Sequence, residues 1–304
     1  MTIERTYAVS DIHGHIEPFR VVLEHVGLDR DPGAELVLFG DYVDRGPASR
    51  EVLETVRDLQ QRFPDRVTAL LGNHDDWFLD WLDGDDEDFS WLTGDADLGT
   101  VKSFLDPLEL AHALGHDDPS SDASALDGPT MNQNIKSAIL EKHSELVGWL
   151  RRLPRVHETD DHIFVHAGID EEAGEMWRAA TPDYVLTEKF PPTFGPFVKT
   201  VIAGHVRTSE MHGDGSHGTF HDGDSHYYID GSVEVTGRLN VLRYSASDGT
   251  YGSFVTPRAW TQSRSVPKAV KPETGREETN HLYGTGFSVE DGNGIQKGWG
   301  GRSR

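Results

Sequence analysis

Cysteine is absent from the 304-residue chain, which excludes disulfides and thiolate metal sites and leaves His, Asp and Asn as the available ligands. No apolar run is long enough to span a membrane, and no basic-then-apolar leader precedes Tyr7-Ala8-Val9, so a cytoplasmic protein without membrane contact is expected. Positive charge is also scarce. Lys and Arg number 28 against 52 Asp and Glu, and the resulting formal charge of −24 argues against a stable, sequence-independent grip on nucleic acid. An acidic surface of this kind serves solubility in its ordinary reading, and bound divalent cations would offset part of it.

Apolar residues, 36% of the chain, fall into short runs that each stop at a polar loop. Tyr7-Ala8-Val9 runs into Ser10-Asp11-Ile12-His13-Gly14, and Leu36 to Phe39 into Gly40-Asp41-Tyr42-Val43-Asp44-Arg45-Gly46. Val67 to Leu71 is followed by Gly72-Asn73-His74-Asp75. Helical spacing comes next in each case: Ile16, Phe19, Leu23 and Val26 before Gly27, then Val52, Val56, Leu59 and Phe63 before Pro64, then Trp77, Phe78 and Trp81. Three strand–loop–helix units in succession predict a largely parallel sheet in an α/β fold.

Residues 83–130 are expected to form an insertion. Its first part, 83–97, is acidic and exposed, with Trp91 and Leu92 anchoring it, and 115–130 is a second loop. A helix with Ile135, Ile139, Leu146 and Leu150 on its buried side follows. Two more apolar runs end at His166-Ala167-Gly168 and Gly204-His205. From Ser216 to Tyr244 short antiparallel strands are expected, packed as a second sheet on the first. The His- and Asp-rich stretch from His212 to His226 is expected to be an exposed loop near the site. Domain boundaries are placed at 1–255 for a catalytic domain and 256–304 for a Gly- and Pro-rich, weakly ordered tail.

Taken singly, an Asp or Asn after a strand is a turn former or helix cap, and an exposed Arg is a surface ion pair. Here every apolar run delivers another ligand-type residue at the same end. Asp11, His13, Asp41, Asn73, His166 and His205 would converge on one rim if the runs are strands of one sandwich. Six such ligands suit two divalent metal ions sharing a bridging carboxylate, about 3.5–4 Å apart, with Asp41 the candidate bridge. Such a pair lowers the pKa of a bound water and neutralises charge on a phosphoryl group during in-line attack. Arg45 would clamp the phosphate, and His74 would protonate the leaving oxygen with Asp44 on its other ring nitrogen.

Asp11-Ile12-His13-Gly14, the Gly40–Gly46 stretch and Gly72-Asn73-His74-Asp75 resemble the three signature motifs of the phosphoprotein phosphatase branch of calcineurin-like metallophosphoesterases. Phe164-Val165-His166-Ala167-Gly168 and Ala203-Gly204-His205 look like its two later histidine motifs, and smaller echoes around Trp91-Leu92 and Thr100–Phe104 resemble the bacterial subset. The resemblance covers about residues 5–245 and implies a four-layer α/β/β/α sandwich around two ions, Mn2+, Fe or Zn2+. It places Asp11, His13 and Asp41 on the first ion and Asp41, Asn73, His166 and His205 on the second. It also implies Arg178, in Trp177-Arg178, as a second phosphate-binding arginine. Asp75 stands where that family usually has Glu, and Arg207 fills a slot often held by Pro. The expected activity is hydrolysis of phosphomonoesters, foremost phosphoserine and phosphothreonine in proteins. The alternatives are a nucleotide substrate, as in symmetrical diadenosine tetraphosphate hydrolases, and a non-catalytic metal-binding regulator.

Overall fold

In the computed structural model, residues 2–87, 90–93, 98–115 and 127–257 are described. The first strand, β1 (Arg5–Val9), pairs in parallel with β2 (Ala34–Leu38), and β2 pairs in parallel with β3 (Val67–Ala69). Three helices follow these strands: α1 (Ile16–Val26), α2 (Ser49–Arg62) and α3 (Asn73–Asp83). Gly27 ends α1 in the left-handed region at φ 61°, donating its N–H to Leu23 O, the stop that its sequence position implies. Chain order then gives α4 (Ser90–Thr93), α5 (Gly99–Phe104), α6 (Pro107–Ala113) and the long α7 (Gly128–Leu150).

A second sheet begins with β4 (Val156–Glu158) and β5 (His162–Val165). After the short helices α8 (Trp177–Ala180) and α9 (Asp183–Glu188) come β6 (Thr200–Ala203), β7 (Phe220–His221) and β8 (His226–Tyr228). A single helical turn, α10 (Val233–Thr236), precedes β9 (Asn240–Ser245) and β10 (Thr250–Val255). The sheet orders are β10-β9-β1-β2-β3 and β4-β5-β6-β8-β7.

The expectation for 216–244 therefore needs correction. These residues do not make a sheet of their own. β8 joins β6 in parallel, β7 lies antiparallel to β8, and β9 crosses to the first sheet to pair antiparallel with β1. Alternation along a strand tells which face is buried, but it carries no information about which neighbour supplies the hydrogen bonds.

Side-chain alternation builds the layers. Ala8, Val37, Phe39 and Leu70 point from the first sheet toward Phe164, Ile202 and Ile229 of the second, forming a buried inter-sheet cluster. Their neighbours Val9, Leu36 and Leu38 point the other way, onto Phe19 and Val22 of α1, Val52 and Val56 of α2, and Phe78 of α3. On the far side Ile163, Val165, Val201 and Ala203 pack with Trp177 and Leu186. Helices, sheet, sheet and helices stack as a four-layer α/β/β/α sandwich.

The expected anchor of the acidic insertion is present: the Trp91 ring lies 4.6 Å from that of Trp81 and 5.5 Å from that of Phe78. Trp81 Nε1 also donates to Asn132 Oδ1 at 2.8 Å, tying α3 to α7. In α7 Ile135, Ile139, Leu146 and Leu150 are buried as the spacing predicts. Residues 88–89, 94–97, 116–126 and 258–304, covering parts of the insertion and nearly all of the expected tail, lie outside the described residues. Among the described residues no helix is long and apolar enough to cross a membrane.

Candidate metal centre

The loops after β1, β2, β5 and β6, together with the first turn of α3, meet at one rim of the sandwich. Asp41 sits at the middle. Its Oδ2 is 3.4 Å from His13 Nε2, and its Oδ1 is 3.5 Å from His166 Nε2 and accepts the His74 backbone N–H at 3.0 Å. Asn73 Oδ1 lies 2.9 Å from His166 Nε2 and 3.0 Å from His205 Nδ1. Asp11 closes the ring: Oδ1 is 3.9 Å from His13 Nε2, and Oδ2 accepts the His205 N–H at 3.1 Å and the Ser10 hydroxyl. All six predicted ligands are thus brought together, from both sheets.

Backbone carbonyls set the histidine tautomers. His13 Nδ1 lies 2.9 Å from Val43 O and His166 Nδ1 2.7 Å from Phe39 O, so each ring keeps its proton on that side and turns the Nε2 lone pair inward. His13 Nε2 is buried and has no hydrogen-bond partner among the described residues. Two groups have ligand atoms close enough to share an ion, His13–Asp41–His74 and Asp11–Asp41–His166, with Asp41 common to both. Oxygen and imidazole nitrogen donors, a free inward lone pair and a shared central carboxylate fit a pair of divalent cations. His74 entered the first group without being expected as a ligand.

Burial shifts these groups toward their neutral forms. Burial pushes the Asp41 carboxyl up, with Asp11 adding to the shift against His166 and His74. Burial also holds the His13 ring well below the usual imidazole range, helped by Arg45, and lowers His205 to about 4, helped by His166. A cation among these atoms would favour the deprotonated form of every one of them.

Backbone strain is concentrated here. Asp11, His13, Asp41, Asp44, Arg45 and His205 all have positive φ, between 45° and 68°, and they account for six of the eight such non-glycine residues among those described. At about 1–3 kcal/mol each, left-handed non-glycine residues persist only where their surroundings hold them. Asp75 is one such support: its carboxylate accepts from the backbone N–H of Asp41 at 2.8 Å, Tyr42 at 3.0 Å and Gly72 at 3.1 Å.

Beside the ring of ligands, His74 Nδ1 lies 2.8 Å from Asp44 Oδ2, and Arg45 Nη2 contacts His74 Nε2 at 3.1 Å. Burial opposes a charged His74, but Asp41 and Asp44 outweigh it and raise the ring above its usual value. Trp77 tilts against His74 with ring centres 4.8 Å apart and is about two-fifths exposed.

Sequence reasoning missed two polar residues. Thr100, in α5, donates its hydroxyl to Asp44 Oδ1 at 2.7 Å and accepts the Asp44 N–H at 3.0 Å. Glu234, in α10, accepts from Arg45 at 3.4 Å and from Arg207 at 2.8 Å. Arg178 is exposed, lies over the Trp177 ring and lines a groove with Pro154, Arg155 and Asp183, and no hydrogen bond joins it to the six ligands among the described residues. The exposed loop expected from His212 to His226 is corrected at its end: His226 is buried in β8, with Nδ1 3.1 Å from Asp222 Oδ2. Strand pairing with β6 took that residue inside.

Residues 4–208 match the sequence profile described as calcineurin-like phosphoesterase. The chain belongs to that family. A symmetrical bis(5'-nucleosyl)-tetraphosphatase of Aromatoleum aromaticum is 30% identical over 164 residues, covering 54% of this chain and 44% of that protein. One of the same name from Stutzerimonas stutzeri is 32% identical over 194 residues, covering 60% and 54%. The chain spans about half the length of these curated relatives. A solved protein serine/threonine phosphatase of Saccharomyces cerevisiae, 12% identical, superposes with a TM-score of 0.50 over 86% of this chain and 82% of that one, a likeness of fold.

Proposed function

We propose that this phosphoesterase hydrolyses a nucleoside polyphosphate, the dinucleoside tetraphosphate named for its relatives, at the rim where Asp41 faces both His13 and His166. The convergence of six O and N donors from both sheets beside the His74–Asp44 pair carries the reading. Asp11, His13 and Asp41 would hold one divalent ion, and Asp41, Asn73, His166 and His205 the other. When bound, such ions acidify water and neutralise phosphoryl charge.

This chain's own groups do the rest. Arg45, fixed in a left-handed turn, aims its planar guanidinium at the same space as His74 and grips phosphoryl oxygens. Asp44 holds His74 Nδ1 and Thr100 holds Asp44; once a phosphate draws the Arg45 guanidinium away from Nε2, that nitrogen carries the proton that the leaving oxygen needs. Asp41 and Asp44 outweigh burial and raise the His74 ring above its usual value, which favours its protonated form.

The protein phosphatase reading keeps one supporting observation. A charge of −24 favours a basic peptide segment over a polyanion. A single preparation loaded with Mn2+ and offered diadenosine tetraphosphate, a phosphoserine peptide and a simple phosphodiester separates the readings. The tetraphosphate is expected to give the highest kcat/KM. A higher value for the peptide replaces the proposal with the phosphatase, and no turnover of any of the three removes both.

A further inference from the structure

Two arginines from separate loops share one oxygen atom. Glu234 Oε1 accepts from Arg207 Nη2 at 2.8 Å and from Arg45 Nη1 at 3.4 Å, so the two guanidinium nitrogens lie within about 6 Å of one another. Two guanidiniums that close can each donate to one of two linked phosphoryl groups. Arg45 spends its other terminal nitrogen on His74, whereas the Arg207 guanidinium makes no further hydrogen bond among the described residues.

We propose that Arg207 binds the phosphoryl group next to the one under attack, so that the site favours substrates with two or more linked phosphates over simple monoesters. The inference rests on the phosphoesterase reading and names the chemistry that this site selects.

The backbone at Arg207 is held on both sides. Val206 is buried, with its N–H on Gly204 O, and Thr208 is fully buried, with both its N–H and its hydroxyl on Asp230 O. Only the Arg207 side chain projects, and it remains 44% exposed. An exposed Arg–Glu pair alone is worth only about 0–1 kcal/mol and would justify no such anchoring. Glu234 is also no simple counterion. Its side chain is 17% exposed, its Oε2 is buried without a partner among the described residues, and it faces two guanidiniums, so the trio keeps net positive charge on an otherwise acidic protein. Glu234 is a pedestal that sets the spacing of the arginines, and their outward donors are left for an anion.

The test compares wild type, Arg207→Ala and Arg207→Lys as full-length Mn2+-loaded enzymes, with thermal melting confirming that each is folded. The ratio of kcat/KM for inorganic tripolyphosphate and for diadenosine tetraphosphate to that for phenyl phosphate is read for each. Arg207→Ala is expected to lower both ratios at least tenfold, through KM, with Arg207→Lys in between. Ratios within twofold of wild type overturn the proposal. A loss on diadenosine tetraphosphate alone also overturns it, since contact with the nucleoside would then explain the effect. Calorimetric binding of tripolyphosphate and orthophosphate gives a reading that needs no turnover. Wild type is expected to bind tripolyphosphate at least tenfold more tightly, and Arg207→Ala to lose that preference. Equal binding by wild type overturns the subsite even in an active enzyme, while intact preference in an inactive one spares the subsite and removes the catalytic reading.

Discussion

His74 Nδ1 stands 2.8 Å from Asp44 Oδ2, and the other oxygen of that carboxylate is held by the Thr100 hydroxyl. Three residues from α3, the loop after β2 and α5 thereby form one chain of hydrogen bonds ending at the proposed proton donor. If the donor is His74, His74→Ala lowers kcat about 10²–10⁴-fold on a substrate with a poor leaving group. It should change less on nitrophenyl phosphate, whose leaving oxygen needs no proton. Equal loss on both substrates would refute the acid role.

The pH profile of the Asp44→Asn enzyme is a second check. A general acid works only while protonated, so kcat/KM falls as pH rises through the pKa of His74. That pKa is raised by Asp41 and Asp44 against the opposing effect of burial. Removing the Asp44 charge lowers it, so the alkaline limb should move to lower pH. An unmoved limb in pH–rate measurements would assign it to another group.

Metal content should follow the geometry of Asn73, whose Oδ1 faces both His166 and His205. Asn73→Ala and His205→Ala are each expected to take the ion content, measured by elemental analysis, from about two per chain to about one. Chelation should abolish activity and Mn2+ should restore it. His74→Ala, although His74 lies within reach of Asp41 and His13, should keep both ions.

Thr100→Val removes a hydroxyl bonded to the buried Asp44, which is expected to cost about 1–3 kcal/mol in urea unfolding and to reduce kcat. Thr100→Ser should recover most of both. Asp75→Ala takes the carboxylate away from four backbone amides, those of Asp41, Tyr42, Val43 and Gly72, and a loss of about 3 kcal/mol or more is expected in the same measurement. Asp75→Asn, which keeps one acceptor oxygen, should lose less.

What could be read from the chain depended on where the information resides. The convergence of the candidate ligands from Asp11 to His205 is legible because each follows an apolar run, and a buried strand ending in a polar loop is a local pattern. Thr100 and Glu234 are not, because each reaches the site from a short helix with no local ligand pattern, and their partners lie 56 and 189 positions away. The inter-sheet switch after β8 was hidden for the same reason: Tyr227, Tyr228 and Val241, Leu242 have similar strand character, yet one pair belongs to each sheet. Arg178 was placed by resemblance alone, and only the fold reveals its position in a groove with Pro154 and Asp183.

Asp11, Asp41 and Asn73 hang from the first sheet and its helices, His166 and His205 from the second, and Gly204 passes so close to Ser10 and Asp11 that any side chain there would collide with them. Ions seated among these residues would act as rivets through the seam of the sandwich. Prying the sheets apart would then empty the centre, and emptying the centre would loosen the seam, so the lifetime of the folded chain and its capacity for chemistry would rise and fall together.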